Sequence, residues 1–571
     1  MNHSTLQMMD VTSLKAVLSD LRKKIIPSRF EKIQQSDSHT VQIAFRNLNS
    51  LIWLELSWHA DSPRLIEIKA PPKIHGESTL SKQIKYATKG MALIELKQQG
   101  FDRVIEFGLA FRPNESFQKF LILELMGRHS NFLLLDEKRN VTTLGKQIRE
   151  SQSRLRPIST GDKYIPPPSL RGLSPTKTGS FEEWKKILSL VPVSLKKALN
   201  DNFQGISPSL SLQLANENKD IANTLINTSV QNLSSKDWQC IYSRWEKWLR
   251  VIDKEEFCLC FNGPSPYRVW KPERLAKDSD CNLSLNLGGY YTKFLAQKKL
   301  EEAYKKLSSE LIKRKINEER LLHKQQDIYQ KTLNVNSLTR SADMILCLND
   351  LNKEKIKEAQ KLYNTAKKLK RAKSILLERV KHHEERILFI NETNLFLEYI
   401  INNKNQLEHE KLTSIKNLIE DIETYLFNKQ QTNTKKGAQR KQPHQILQIK
   451  SPSGLDIQIG RNHRQNELIS IKKSKKGDIW FHAQECPGSH IVLKASNGTI
   501  EEEDIKVSAD LASFLSKAKG NNKVSVLMVQ TNQLQKLKGA ATGTVSPREG
   551  KVVWGQPSNG KRYLEQSTKK A

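Results

Sequence analysis

Near the start of the chain, apolar positions recur at helical spacing. Leu14, Val17, Leu18, Leu21 and Ile25 line one face of a predicted helix, and Pro27 ends it. The period then shortens to two. Alternation predicts strands over Thr40–Arg46, Ser50–Trp58, Leu65–Lys69, Val104–Phe111, Phe120–Leu125 and Asn131–Asp136. A second helix is predicted over Ser81–Gln99, leading into a corner at Gly100-Phe101-Asp102-Arg103. Residues 1–170 therefore read as a mixed α/β domain, with Pro166-Pro167-Pro168 as a stiff linker at its end.

Residues 176–290 carry short helical signals. Leu195–Leu199 and Leu210–Leu214 read as two helices around Phe203-Gln204-Gly205-Ile206-Ser207-Pro208, a helix-hairpin-helix. Such a hairpin can aim backbone N–H groups and a helix N-terminus at a phosphate, and it can equally be a packing unit. The texture then changes. From Glu273 to Gln442 there is no proline, and after Gly288-Gly289 no glycine until Gly437. Leu362, Ala366, Leu369, Leu376, Val380, Ile387, Ile390 and Leu397 alternate by four and three, with Lys373, His383 and Asn394 filling the gaps. That is a heptad seam. A looser version runs through Leu300, Tyr304, Leu307, Leu311, Leu321 and Ile328, and a break falls near Leu346–Lys353. Residues 291–430 thus read as an antiparallel coiled-coil hairpin, whose arms of about 45 residues would reach roughly 70 Å.

Lys429, Lys435, Lys436, Arg440, Lys441 and Lys450 stand in a stretch with no acid, and 431–444 reads as a basic linker. Residues 445–557 alternate like a compact α/β domain with one helix over Val507–Ala518, and 558–571 read as a disordered tail. The predicted fold class is multidomain α+β.

Charge narrows the function. Lys and Arg number 93 against 61 Asp and Glu, a net +32, which favours a polyanionic partner, nucleic acid above an anionic membrane. No apolar run approaches the ~20 residues that span a bilayer. The first residues, with Asp10 and Asp20, do not read as a signal or transit peptide. The six cysteines (Cys240, Cys258, Cys260, Cys281, Cys347, Cys486) form no C-x-x-C pair and read as free thiols of a reducing compartment. A cytoplasmic protein is expected, with no metal and no cofactor.

In the C-terminal domain Arg461, His463, Arg464, Lys472, Lys473, Lys475 and Lys476 crowd what reads as a strand–turn–strand, with Glu467 and Asp478 the acids among them. Trp480, Phe481 and His482 follow. Basic side chains hold phosphates, and exposed rings stack on unpaired bases; alternatively, the rings stiffen a core.

Two segments resemble a known family. Ile459-Gly460-Arg461-Asn462 through Gln465-Asn466-Glu467-Leu468, then Gly477-Asp478-Ile479-Trp480-Phe481-His482 and Pro487-Gly488-Ser489-His490-Ile491-Val492, resemble the NFACT-R signature. Leu123-Glu124-Leu125-Met126-Gly127-Arg128-His129-Ser130-Asn131 resembles the NFACT-N hallmark. With hairpin and coiled coil between them in the expected order, the resemblance covers nearly the whole chain. The family includes bacterial RqcH, eukaryotic NEMF-type factors, and chains labelled FbpA or fibronectin-binding protein.

The resemblance implies a non-enzymatic ribosome quality-control factor. Such a factor would bind a large ribosomal subunit through its rRNA while the subunit still carries peptidyl-tRNA, probing it as a monomer. It would recruit alanyl-tRNA for untemplated alanine tailing, with bonds formed in the ribosomal peptidyl-transferase centre. It implies tRNA contacts at Asp102 and Arg103 and at Asp10, to which Arg128 and His129 are added as neighbours. In the NFACT-R segment the candidate RNA contacts are Arg461, Asn462, Arg464, Lys472, Lys473, Asp478, Trp480, Phe481 and His482. One departure stands out: family members usually carry a small β-containing module between the coiled-coil arms, and here barely a dozen residues join them.

Other classes fit less well. A fibronectin-binding adhesin would call for a secretion signal, and a general RNA chaperone would lack tRNA selectivity. No G-x-x-x-x-G-K-[S/T] or G-x-G-x-x-G supports an NTPase. His382-His383-Glu384-Glu385 lacks the His spacing of a zincin. The family's N-terminal domain and hairpin resemble formamidopyrimidine-DNA glycosylases in fold, but the N-terminal proline those enzymes use is absent here, where residue 2 is Asn2.

Overall fold

Helix α1 (Val11–Ile25) begins where Asp10, in extended backbone, turns its carboxylate onto the Ser13 amide. That bond satisfies one of the four amides a helix start leaves without partners. The computed structural model describes residues 6–570 apart from 75, 154–155, 169–170, 178, 272–281, 334, 348–351, 404–405, 427–445 and 537–541. It contains two units, Met1–Phe294 and Leu295–Ala571.

In the first unit, nine strands follow α1: β1 (Ser28–Asp37), β2 (Thr40–Arg46), β3 (Leu51–Ser57) and β4 (Arg64–Ile68), then, after helix α2 (Thr79–Ala87), β5 (Ala92–Gln98), β6 (Val104–Ala110), β7 (Lys119–Glu124), β8 (Asn131–Leu135) and β9 (Val141–Leu144). They form one antiparallel sheet in the order β4-β3-β2-β1-β5-β6-β7-β8-β9. The sheet curls on itself. Trp58, just past β3, stacks on Phe132 of β8 with ring centroids 5.5 Å apart. The helix expected over Ser81–Gln99 is shorter than that. It ends at Ala87, Gly90 takes a positive φ, and Ala92–Gln98 alternates as strand β5.

Five helices follow: α3 (Phe181–Ser189), α4 (Leu195–Asn202), α5 (Pro208–Ala215), α6 (Lys219–Asn227) and α7 (Ser235–Lys254). Their core is aromatic, with Trp184, Trp245, Trp248 and Phe203 fully buried. Val11 of α1 and Phe101 belong to the same cluster, so sheet domain and hairpin share apolar packing. Helix α8 (Leu283–Leu333) begins against β4. A Cβ on Gly288 would lie 1.9 Å from the Glu67 carbonyl oxygen, so only glycine admits this approach.

In the second unit, Leu300, Leu307 and Leu311 of α8 pack with Phe389, Ile390, Phe396 and Leu397 of α10 (Lys353–Asn402), and α9 (Val335–Leu346) lies beside α10. Helices α8 and α10 run 51 and 50 residues, about 75 Å each. The expected hairpin seam is present, with a third member. Ile415, Leu418, Ile422 and Leu426 of α11 (Glu408–Leu426) join its cluster. Buried Glu318 binds the seam together, holding His383 Nδ1 at 2.7 Å and Arg386 Nε at 2.9 Å. The break predicted near Leu346–Lys353 falls between the end of α9 at Leu346 and the start of α10 at Lys353; its residues 348–351, the basic linker 431–444 and Cys281 lie outside the described residues.

The C-terminal domain contains β10 (Leu447–Lys450), β11 (Asp456–Ile459), α12 (His463–Glu467), β12 (Ile479–Ala483), β13 (Ile491–Leu493), α13 (Glu502–Phe514), β14 (Val524–Gln530), β15 (Leu534–Lys536), β16 (Val545–Pro547), β17 (Lys551–Gly555) and α14 (Pro557–Lys570). The main sheet runs β10-β11-β13-β12-β14-β17. Three expectations are corrected. The strand–turn–strand after β11 is helical: α12 continues into a π-helical turn over Leu468–Lys472. Helix α13 starts five residues earlier than Val507, in a capping box between Glu501 and Asp504. The tail 558–571, expected to be disordered, is helix α14 through Lys570. Gly560 fits it against the Asp510 carbonyl, and Leu564 is buried in the core.

Candidate nucleic-acid interface

The N-terminal candidates gather at one corner of the first unit. Asp10 is almost fully buried. One carboxylate oxygen accepts from Ser13 amide and hydroxyl at 2.8 and 2.7 Å, and the other accepts from Ser207 Oγ at 2.7 Å. Ser207 caps α5 through the Leu210 amide at 3.0 Å, so Asp10 ties together the starts of α1 and α5. Two helix N-termini meeting there concentrate positive potential. Between α4 and α5, Gly205 has φ +76°, and a Cβ on it would lie 2.8 Å from Val11 Cγ1 and 3.0 Å from Phe101 Cδ1. The hairpin tip is therefore pressed onto the residues beside Asp10 and before Asp102.

Asp102 and Arg103 follow Phe101 and are half-buried. Their backbone is fixed: the Asp102 carbonyl accepts from Gln98 Nε2 at 2.7 Å, and the Arg103 carbonyl accepts from the Leu125 amide at 2.9 Å. Among the described residues neither side chain has a hydrogen-bond or ion-pair partner. Burial raises the Asp102 pKa from its ordinary value. Burial lowers that of Arg103, and the Asp10 carboxylate opposes the lowering. A rigid backbone thus presents a carboxylate and a guanidinium with unused hydrogen-bonding capacity, the chemistry that recognises phosphate and base edges.

Arg128 and His129 stand on an exposed turn directly after β7, at the sheet end where β6 begins. Arg128 Nε is 3.0 Å from His129 Nε2. Asp10 is the member whose role is structural. Lys15 was not among the sequence candidates. It stands one turn into α1 with its ammonium 5.5 Å over the Phe101 ring and no ion-pair partner among the described residues. Only the fold brings it to the corner, because its spacing from Asp10 matches no motif.

In the C-terminal domain the structure divides the candidates. Lys472 and Lys473 are exposed, as are Lys475 and Lys476. Asn462, Arg464, Asp478, Trp480 and Phe481 are corrected to structural roles. Asn462 is buried and caps α12 through the Gln465 amide at 2.8 Å. Arg464 is held by Asp421 at 2.6 Å and Glu420 at 3.1 Å, and Arg461 is half-buried. Asp478 is fully buried, bound by Lys494 Nζ, Ser496 Oγ and the Lys475 amide at 2.8, 2.6 and 2.8 Å. Burial alone would raise its pKa, but those hydrogen bonds hold it below the ordinary value. Phe481 lies fully inside the core under α13, and Trp480 is 3% exposed beneath the π-helical turn, packed with Ile469. Neither ring can stack on a base. His482 is part-exposed and stacks on Trp480 at 5.4 Å. His463 is wedged between Phe389 and Phe396 of α10, and burial pushes its pKa down to about 3.

Residues 10–358 match the NFACT N-terminal and middle domains, more than half of the chain. The chain belongs to the NFACT family. Residues 446–549 of this NFACT chain match the NFACT protein RNA binding domain, which places the exposed lysines 472–476 in a family RNA-binding module. Over nearly its full length the chain is 26% identical to "Rqc2 homolog RqcH" of Streptococcus suis, covering 96% of this chain and 98% of that one. It is 25% identical to the protein of the same name from Bacillus subtilis, covering 92% and 94%. A solved structure of the N-terminal part of the fibronectin/fibrinogen-binding protein from Streptococcus suis covers 50% of this chain and 99% of its own, at 24% identity and a TM-score of 0.37. Among the described residues no helix is long and apolar enough to cross a membrane.

Proposed function

We propose that this NFACT chain is a ribosome quality-control factor. It binds a large ribosomal subunit still carrying peptidyl-tRNA and recruits alanyl-tRNA, so that the ribosome's own peptidyl-transferase centre adds an untemplated alanine tail that marks the stalled product for degradation. The observation that carries this reading is the end-to-end similarity to proteins named Rqc2 homolog RqcH. The unpartnered Asp102 and Arg103 side chains beside the hairpin supply tRNA contacts, joined by Arg128 and His129. The exposed lysines of the C-terminal domain hold rRNA. In this reading the chain is not itself an enzyme, works as a monomer in the cytoplasm and needs no cofactor.

Gradient fractionation after translational stalling tests it. The protein is expected to travel with free large subunits rather than with intact ribosomes. Raising the salt should strip it off steeply, because each phosphate contact contributes roughly −0.7 to −0.9 to the log–log slope. Recovery only in the top fractions, or only with membranes, sinks the reading.

A further inference from the structure

The sheet of the C-terminal domain is covered unequally on its two faces. Helix α13 lies across one face, over Phe481 and Val526. On the other, the π-helical turn with Ile469 and Ile471 covers Trp480, Val492 and Val529. Among the described residues, none of β17 belongs to that cluster. The register pairs Trp554 with Ser525 and Val552 with Leu527, and Leu527 with His482. Directly paired residues point to the same side of a sheet, so these five share the partly uncovered face. Trp554 is 65% exposed and Val552 50% exposed. An indole that open, on a strand rather than in a loop, has no packing reason to be there.

The chemistry around it favours an unpaired base over a protein strand. Lys523, the residue just before β14, is exposed. Among the described residues it has no ion-pair partner. Within strands β12, β14 and β17 no Asp or Glu stands on this face. A flat ring flanked by apolar carbons and small polar groups, with a free ammonium group nearby, is how sequence-tolerant single-strand binders hold a base and its phosphate. An apolar protein partner would have no use for the uncompensated cation.

We propose that the open face of this sheet is a single-stranded RNA platform, with one unpaired nucleobase stacked on Trp554 beside Val552 and Leu527 and its backbone phosphate on Lys523. This rests on the reading of residues 446–549 as an RNA-binding domain and extends it to β17, beyond the matched segment.

The test uses the full chain, a labelled mixed-sequence single-stranded RNA of about twelve nucleotides, spanning a typical single-strand site, and the same sequence as a duplex. Trp554→Ala is expected to weaken single-strand binding roughly 5- to 150-fold, the loss of one base stack. Trp554→Phe restores most of the affinity, and duplex binding is unchanged in both variants. Unchanged single-strand affinity in Trp554→Ala overturns the platform, as does an equal loss for single strand and duplex. If Trp554→Ala lowers the thermal midpoint, ultraviolet crosslinking of the unsubstituted chain decides. Adducts on β17 uphold the platform, and adducts elsewhere alone overturn it. Failure of the chain to travel with large subunits would sink the ribosomal reading and leave this comparison standing.

Discussion

A chain carrying Asp102→Ala and Arg103→Ala is expected to lose alanine tailing while keeping its fold and its association with large subunits. The structure separates the two effects. Both backbones are fixed by Gln98 and Leu125, and those bonds use carbonyl oxygens that alanine retains. Neither side chain has a partner among the described residues, so truncation should cost no more than about 0.5 kcal/mol of stability. The lost groups are instead those that can contact tRNA. Polar contacts that discriminate a base are worth ~1–3 kcal/mol each, so losing two removes productive tRNA capture. Subunit association survives because the exposed lysines of the C-terminal domain are untouched. Thermal midpoint, co-sedimentation and tailing are measured on the same double variant. Normal tailing, or a midpoint that collapses along with it, discards the corner as a tRNA contact.

Asp478→Ala is expected to destabilise the C-terminal domain by about 3–5 kcal/mol, the cost of leaving one half of a buried ion pair uncompensated. Lys494 keeps only the Lys473 carbonyl at 2.7 Å, and the Lys475 amide and Ser496 lose their acceptor. Those bonds pin the turn that carries Lys472, Lys473, Lys475 and Lys476, so RNA binding should weaken as a consequence of loosened structure. The sign with pH follows from the lowered carboxyl pKa. The native chain holds this contribution in full above the ordinary carboxylate value of about 4 and loses it as pH falls through the folded-state value. The gap between native chain and variant in urea denaturation should therefore be widest near neutrality and close in acid. A neutral-pH gap below about 1 kcal/mol, within the range of ordinary substitutions, would show Asp478 to be a surface ligand instead.

Much of the chain was legible because period and composition act locally. Strands β2, β3, β4, β6, β7 and β8 lie within a residue or two of the alternating runs. The heptad residues Leu376, Ile390 and Leu397 are buried as the seam requires. Strand β5 was hidden because Ala92–Gln98, with Leu93 and Leu96 three apart, also fits a helix, and Gly90 alone divides it from α2. At the candidate sites alternation shows which residues share a face but not what covers it. Trp480 and Phe481 point to opposite faces, and both are buried because α13 covers one and the π-helical turn the other. Trp554, two strands away on the same face as Trp480, is open. Only the tertiary cover distinguishes them. Asp10 shows the same limit: it reads as an acid in a helix, whereas the fold spends both of its oxygens on the starts of α1 and α5.

The central claim is that this chain selects tRNA on a separated large subunit, and sequencing the RNA that co-purifies with it tests that claim most directly. The account predicts large-subunit rRNA without matching small-subunit rRNA, together with tRNA enriched for the alanine acceptors. Recovery of messenger and ribosomal fragments in proportion to their abundance, with no tRNA enrichment, would contradict it.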